Sequence, residues 1–471
     1  MATSPANEKA GGSLVRTLGV MDLVFLNMAA ILGLRWLSTA AQMGPASLLL
    51  WVLAVVTFFI PSALTVRELS SRLPGEGGIY LWSKVAFGEQ HGFISGWAYW
   101  VNNLFYFPSL LLFIAGTFLF LGGNEWLGLG DSAIYNTAFS LTLLWLVIGT
   151  NVIGLKRGKW IQNVGALSSG AVFAILIVGG TWAWIQFGSD TEFTVQSITP
   201  DLSNVATLTF FATMTFAFAG MELAPAMSGE IKDPVRAIPR AMVISGLIIT
   251  TIYIMGTGLL MVAVPEDQIG VITGIPQAIA AIGERIALPG LAFVGVLLIV
   301  MSGTGGLGAW ISGVARIPYV IGIDRYLPAA LGKTHPKWGT PHVALITQGV
   351  VVTLLMIGSV IDASIEEAYI MLLDMTIILY FVPFLYMFAA LPVLRRKAKG
   401  NDENVHLVPG GIAGVWLVAS LGFVATFLSV ILALMPPEDS ANPQMFVAKV
   451  GGGCLLFIVA GLGFYYRNRR S

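Results

Sequence analysis

Charge is scarce in this chain. Of 471 residues only 11% are Asp, Glu, Lys or Arg, against about 25% in an ordinary soluble domain, while 56% are hydrophobic. A sequence of this kind excludes an ordinary soluble domain and is expected to be a polytopic membrane protein. Cysteine is nearly absent: the single Cys454 lies in an apolar run, so neither a disulfide nor a thiolate metal site is available. Histidine is rare too. His91, His335, His342 and His406 all fall at loops or span ends, with no His/Cys/carboxylate grouping and no nucleophile–base pair. An enzyme is therefore not expected, nor a metal, a cofactor or a nucleic-acid partner. About nineteen mostly polar residues precede the first apolar run with no small-residue cleavage site behind it, so no cleavable leader is expected.

What the chain has is long apolar runs. Twelve stretches of roughly 18 or more residues reach spanning length, near 20–43, 46–70, 91–121, 133–152, 160–187, 204–229, 238–264, 286–321, 341–359, 365–394, 411–434 and 445–466. A shorter amphipathic segment, 275–284, is expected as a helix capping the outer face. Of 25 Lys and Arg, 22 fall on one side of this topology, Arg285 and Lys449 on the other, and Arg35 within a span. The basic side is the cytoplasmic one, which places both termini, 1–19 and 467–471, in the cytoplasm.

Two of the runs are interrupted. The first carries Ala30-Ile31-Leu32-Gly33-Leu34-Arg35-Trp36 and the second, about 187 residues on, Phe218-Ala219-Gly220-Met221-Glu222. Each has a glycine at mid-span and an ionisable residue just past it. Unwound backbone at membrane depth is tolerated only inside protein or along a cavity, and two such segments in matching halves mark the substrate site of a secondary transporter. A helix stopped in mid-membrane leaves free N–H groups on one half and free C=O groups on the other. The first suit a substrate carboxylate, the second an ammonium.

Three loops are more specific than composition. The first runs Glu68 to Trp82 and includes Pro74-Gly75-Glu76-Gly77-Gly78-Ile79-Tyr80. The second is Glu230-Ile231-Lys232-Asp233-Pro234-Val235-Arg236-Ala237-Ile238-Pro239. The third joins Asp324-Arg325-Tyr326-Leu327-Pro328 to His335-Pro336. Together, over residues about 15 to 395, these resemble the amino acid–polyamine–organocation superfamily. The resemblance implies an all-α, twelve-helix fold. Five-helix repeats at 20–187 and 204–394 are related by inversion as in LeuT-like transporters, helices 1 and 6 are broken, and two helices at 411–466 are appended.

Within the superfamily the chain is most similar to bacterial amino acid antiporters of the arginine/agmatine and glutamate/GABA kinds, through Phe216-Ala217-Phe218-Ala219-Gly220-Met221-Glu222 and Gly305-Gly306-Leu307-Gly308-Ala309-Trp310. It departs from them at the first break. Where relatives carry Gly-Ser-Gly-Ile, this chain has Ile31-Leu32-Gly33-Leu34-Arg35, and Leu32 and Leu34 narrow any backbone nest for a carboxylate.

The expected substrate-binding residues are Ile31, Gly33, Arg35, Asn102, Asn103, Phe216, Gly220, Glu222 and Trp310. Arg35 has three uses open to it: a bidentate grip on a substrate carboxylate, a structural pair with Glu222 or Asp374, or snorkelling toward the outer interface, since it sits past the middle of the first span. The resemblance makes Glu222 the group coupling substrate to proton, and a carboxyl in a low-dielectric site suits that role. It makes Phe216 and Trp310 gates over the substrate. Asp374, about nine residues into helix 10, is a second candidate proton carrier or a buried structural group. Ser302, Thr304 and Ser312 offer hydroxyls on helix 8 without the paired arrangement a sodium site wants, and around Ser168 and Ser169 the lysine of some proton-coupled relatives is missing. Trp51, Trp97, Tyr99, Trp100 and Tyr106 read as packing or interface aromatics.

The expected function is amino acid transport across the bacterial plasma membrane by alternating access, with a small-molecule substrate, the lipid bilayer and protons as candidate partners. The alternatives are an amine or polyamine carrier centred on Glu222 and Asp374, which the fixed charge of Arg35 disfavours, and a transporter-like nutrient sensor. The substrate's identity and the oligomeric state stay open.

Overall fold

The computed structural model describes residues 16–75, 77–189, 191–264, 269–270, 274–324, 326–359, 365–398, 405–436 and 443–468. Most of the expected tails, and Glu76 and Arg325 of the loop motifs, lie outside the described residues.

The first expected span is two helices, α1 (Val20–Ile31) and α2 (Arg35–Ala41), which meet at a 45° bend. There follow α3 (Ala46–Arg72), α4 (Ile79–Phe87), α5 (Glu89–Phe118), α6 (Ala133–Ile153) and α7 (Leu155–Phe187). The second half opens with α8 (Val205–Ala217) and the single turn α9 (Leu223–Ala226), then α10 (Pro234–Ala263), α11 (Gly274–Arg285), α12 (Gly290–Val314), α13 (Arg316–Ile323), α14 (His342–Ser359) and α15 (Ile365–Lys397). Helices α16 (Gly411–Leu432) and α17 (Pro443–Asn468) close the chain.

Among the described residues ten helices are long and apolar enough to cross a membrane, and the bent α1–α2 pair makes eleven. The remaining expected span, 204–229, is cut between α8 and α9, so neither piece reaches crossing length alone. That break is what keeps the twelfth span from being counted, and the arrangement is consistent with twelve. The amphipathic segment expected at 275–284 forms as α11, with Ile275, Ile279 and Ile282 turned into the protein.

Close helix approach depends on small residues, as membrane packing requires. A Cβ on Gly165 of α7 would lie 2.5 Å from the Cα of Gly305 on α12, and the reverse holds. Beside this contact Ser169 Oγ and Ser302 Oγ lie 2.5 Å apart. Proline shapes α3: a π turn at Val55–Phe59 directly precedes Pro61, whose missing N–H breaks the regular ladder.

The loop motifs converge on the ends of the broken helices. Gly78, at φ +43°, leaves no room for a side chain, since a Cβ would lie 3.0 Å from the backbone N of Ala226 in α9. Tyr80 donates to Asp324, which also takes Lys84 at 2.7 Å. Burial and that carboxylate push the Tyr80 hydroxyl's pKa up, so it stays a donor. Buried Glu230 accepts Arg316 at 2.9 Å. Buried Glu68 accepts Arg395 at 2.5 Å, Arg72 at 3.0 Å and the N–H of Val408 at 2.8 Å. These pairs tie α3, α4 and the loop after α9 to α13 and α15.

Candidate functional site

The chain leaves helical geometry at Leu32, with φ −72° and ψ 78°, and again between Ala217 and Leu223, where Gly220 takes φ +133°. The two breaks face each other. A Cβ on Gly220 would lie 2.7 Å from Ile31 Cγ1 and 3.4 Å from the Trp310 ring, so Ile31, Gly220 and Trp310, three of the expected site residues, do meet. Gly33 is needed for a different reason: a Cβ there would strike the Trp36 indole at 2.5 Å.

Freed backbone groups at both breaks find side-chain partners. Trp310 Nε1 donates to Ala30 O at 2.8 Å. The buried Tyr253 hydroxyl of α10 donates to Ile31 O, lies 3.1 Å from Ala217 O, and accepts from the N–H of Gly33 at 3.2 Å. One residue thus holds backbone from both broken helices. With a single proton, its hydroxyl divides between two carbonyls. Tyr253 stacks on Trp51 at 4.5 Å, and Trp51 Nε1 donates to Thr257 at 3.0 Å. Trp51 is accordingly a buried support. Sequence reasoning missed Tyr253; its signal was one hydroxylated aromatic in the aliphatic stretch Ile252-Tyr253-Ile254.

Arg35 is buried, and among the described residues no ion pair joins it to Glu222, Asp374 or any other carboxylate. Its guanidinium carbon lies 4.3 Å from the Trp36 ring centre, 4.9 Å from Tyr106 and 5.9 Å from Tyr369. Desolvated cation–π contacts reach about 2 kcal/mol each, enough to offset the roughly 2.5–3.5 kcal/mol cost of an arginine at mid-span. Nη1 meets Ser109 Oγ at 3.5 Å, while Nε and Nη2 have no hydrogen-bond partner. Arg35 also lines a cavity of about 20 Å³ with Gly33, Tyr106 and Ser302. That is room for about one water and none for an amino acid.

Glu222 is the opposite case. Its Oε1 accepts from Tyr99 at 2.8 Å and from Tyr380, and its Oε2 accepts from the N–H of Gly220 at 3.1 Å. Tyr99 and Tyr106, which the sequence presents as packing aromatics, therefore touch the two ionisable groups. Between those groups run ring contacts: Trp36 to Phe216 at 5.6 Å, Tyr106 to Trp310 at 5.7 Å, and Phe216 and Trp310 to Tyr380 at 5.3 and 5.9 Å. Phe216 and Trp310 thus stand between the charges.

Three expected residues stand apart. Asn102 Nδ2 donates to Ala98 O and Tyr99 O of its own helix, and Asn103 Nδ2 to Tyr99 O and Asn102 Oδ1. Asp374 lies on α15 and, among the described residues, makes no ion pair with Arg35. Of the helix 8 hydroxyls, Thr304 bonds back to Val300 O and Ser312 meets Gln162 at 3.3 Å.

Residues 18–460 match the family described as amino acid permease. This chain belongs to the amino acid permease family. The permease is 31% identical to an uncharacterised transporter of Legionella pneumophila, over 94% of this chain and 95% of that one. It is 23% identical to a probable agmatine/putrescine antiporter of Lactococcus lactis, over 94% and 92%. To a serine/threonine exchanger of Bacillus subtilis it is 26% identical, over 83% and 85%. The solved structure of MhsT in complex with L-phenylalanine superposes with a TM-score of 0.66 at 15% identity, over 90% of the permease and 99% of that chain. That likeness gives the fold, a LeuT-like inverted repeat. The permease is a multi-pass membrane transporter and not an enzyme.

Proposed function

We propose that this permease moves amino acids across the plasma membrane by alternating access, and that Arg35 reads the substrate carboxylate. One observation carries the reading: a buried guanidinium with two unused donor nitrogens, Nε and Nη2, and no counter-carboxylate among the described residues, beside the first helix break. A carboxylate is the chemical group that satisfies both donors at once. The relatives named as antiporters and exchangers of amino acids and amines support the transport class.

In this reading the repeats span 20–187 and 204–394, 411–466 is appended, and both termini are cytoplasmic. Rocking of the broken helices opens the centre to either side in turn, and Phe216 and Trp310 must turn aside for a substrate to reach both charges. Glu222 answers the substrate amine and carries the coupled proton. Asn102, Asn103 and Asp374 take secondary places.

The test is a thermal-shift screen of the purified protein with the twenty amino acids, their decarboxylated amines and polyamines, since a ligand of the native state raises its Tm with occupancy. Stabilisation by amino acids but not by the matching amines is expected. Stabilisation by amines alone moves the substrate class to organic cations held at Glu222.

A further inference from the structure

The cation triplet Arg395-Arg396-Lys397 ends α15. Two of the three are committed within the protein: Arg395 to Glu68, and Lys397 to the carbonyls of Val85 and Ala86 at the end of α4. Arg396 faces outward. Its guanidinium carbon lies 5.4 Å from the Trp416 ring centre, and among the described residues no carboxylate pairs with it.

Below Arg396 lies an open groove of about 400 Å³ between α15 and α16, walled by Phe87, Phe388, Trp416 and Phe423 and floored by Pro392. Its origin is a change in helix spacing. At Gly422 the helices touch, since a Cβ there would lie 2.2 Å from the Phe388 ring. Within about one turn nearer the basic end, Pro392, Ala419 and Ser420 are too small to fill the gap. The walls are not sealed from the bilayer: Trp416 is 46% exposed and Phe423 38%.

We propose that this groove binds an anionic phospholipid, with one acyl chain along the α15–α16 trough and the phosphate on the Arg396 guanidinium. The chemistry selects the ligand. A long apolar trough with a single cation at its mouth complements an acyl chain under a phosphate, and basic pockets between spans bind such headgroups. Among the described residues no acidic side chain lines the groove, so its lining offers the ammonium of a zwitterionic headgroup no partner and a net-negative lipid is preferred. Free phosphate would forgo the whole trough. Helix α15 also carries Tyr369 and Tyr380, which touch Arg35 and Glu222, so an occupied groove braces a helix of the central site.

The experiment is native mass spectrometry of the full-length protein titrated with phosphatidylglycerol or phosphatidylcholine, alongside substrate exchange in vesicles with and without phosphatidylglycerol. Wild type should retain phosphatidylglycerol over phosphatidylcholine, with faster exchange in its presence. Arg396→Gln should weaken phosphatidylglycerol retention about fivefold at unchanged Tm, Arg396→Lys should keep most of it, and Ser420→Phe, which fills the trough, should remove retention of both lipids. A control at Lys333, an exposed lysine that does not line the groove, should change nothing as Lys333→Gln. The proposal is overturned if Arg396→Gln keeps the full preference, if inorganic phosphate displaces the lipid, or if Ser420→Phe instead dissociates a dimer whose stability ignores lipid.

Discussion

The two helix breaks are built alike and finished differently. At the second, the ionisable group is engaged: Glu222 accepts from two tyrosines and a backbone N–H. At the first, the charge is held by ring faces, which leave hydrogen-bonding capacity untouched, so Arg35 keeps two N–H donors idle. Cation–π contacts stabilise a guanidinium without consuming its donors. The first break therefore keeps most of its hydrogen-bonding capacity free, whereas at the second three acceptor positions of the carboxyl group are already filled. An aromatic layer through Phe216 and Trp310 lies between them.

The largest test of this asymmetry is Arg35→Gln. A charge-assisted hydrogen bond contributes about 1.5–3 kcal/mol, so exchange of carboxylate substrates in proteoliposomes should fall roughly 10- to 150-fold. The Tm should hold or rise, because a buried, unpaired charge has been removed. A fall in Tm with transport retained would make Arg35 structural and dissolve the contrast.

Next is Tyr253→Phe, which tests what the breaks share. The change leaves Ile31 O, Ala217 O and the N–H of Gly33 without their common partner. An unsatisfied buried backbone group costs about 1–3 kcal/mol, so denaturant or thermal unfolding should show a loss in that range, and the two breaks should respond together. Unchanged stability would mean the breaks are held independently.

Glu222→Gln sharpens the comparison from the other side. The amide can keep both tyrosine donors on its oxygen, but its –NH₂ faces the N–H of Gly220, for a loss of about 1 kcal/mol. If Glu222 carries the coupled proton, exchange by the variant should lose the pH dependence of wild type while binding acids within about fivefold. A variant with the wild-type pH profile removes Glu222 from coupling.

How much of this was legible in the sequence follows from what each feature depends on. Both breaks could be read because glycine in an apolar run disturbs hydropathy hardly at all but backbone geometry a great deal, and the loop motifs could be read because Pro, Gly and paired charges keep fixed spacing. Tyr253 could not, since its role lies in contacts 222 and 36 residues away along the chain. Nor could the state of Arg35: the sequence offers a carboxylate pair as the natural refuge for a buried arginine, and only the folded chain brings Trp36, Tyr106 and Tyr369 around it. Tyr99 and Tyr106 read as packing for the same reason. Residues 204–229 were legible as a broken helix, while the shortness of its second half, one turn at Leu223–Ala226, was not.

The smallest expected effect concerns Asn102 and Asn103, which polarity alone recommended for the cavity. Their amide donors return to carbonyls of their own helix or to each other, an arrangement that satisfies a polar group in a span without aiming it at a ligand. Polar contacts between membrane helices average about 0.6 kcal/mol, so Asn102→Ala should change exchange by no more than about threefold. The Asn103→Ala variant should behave alike, because each amide donates two hydrogen bonds and both stay within its own helix. A tenfold rise in KM for Asn102→Ala at wild-type Tm would place its carbonyl oxygen on the substrate and add a third pole, neutral, between the idle guanidinium and the engaged Glu222.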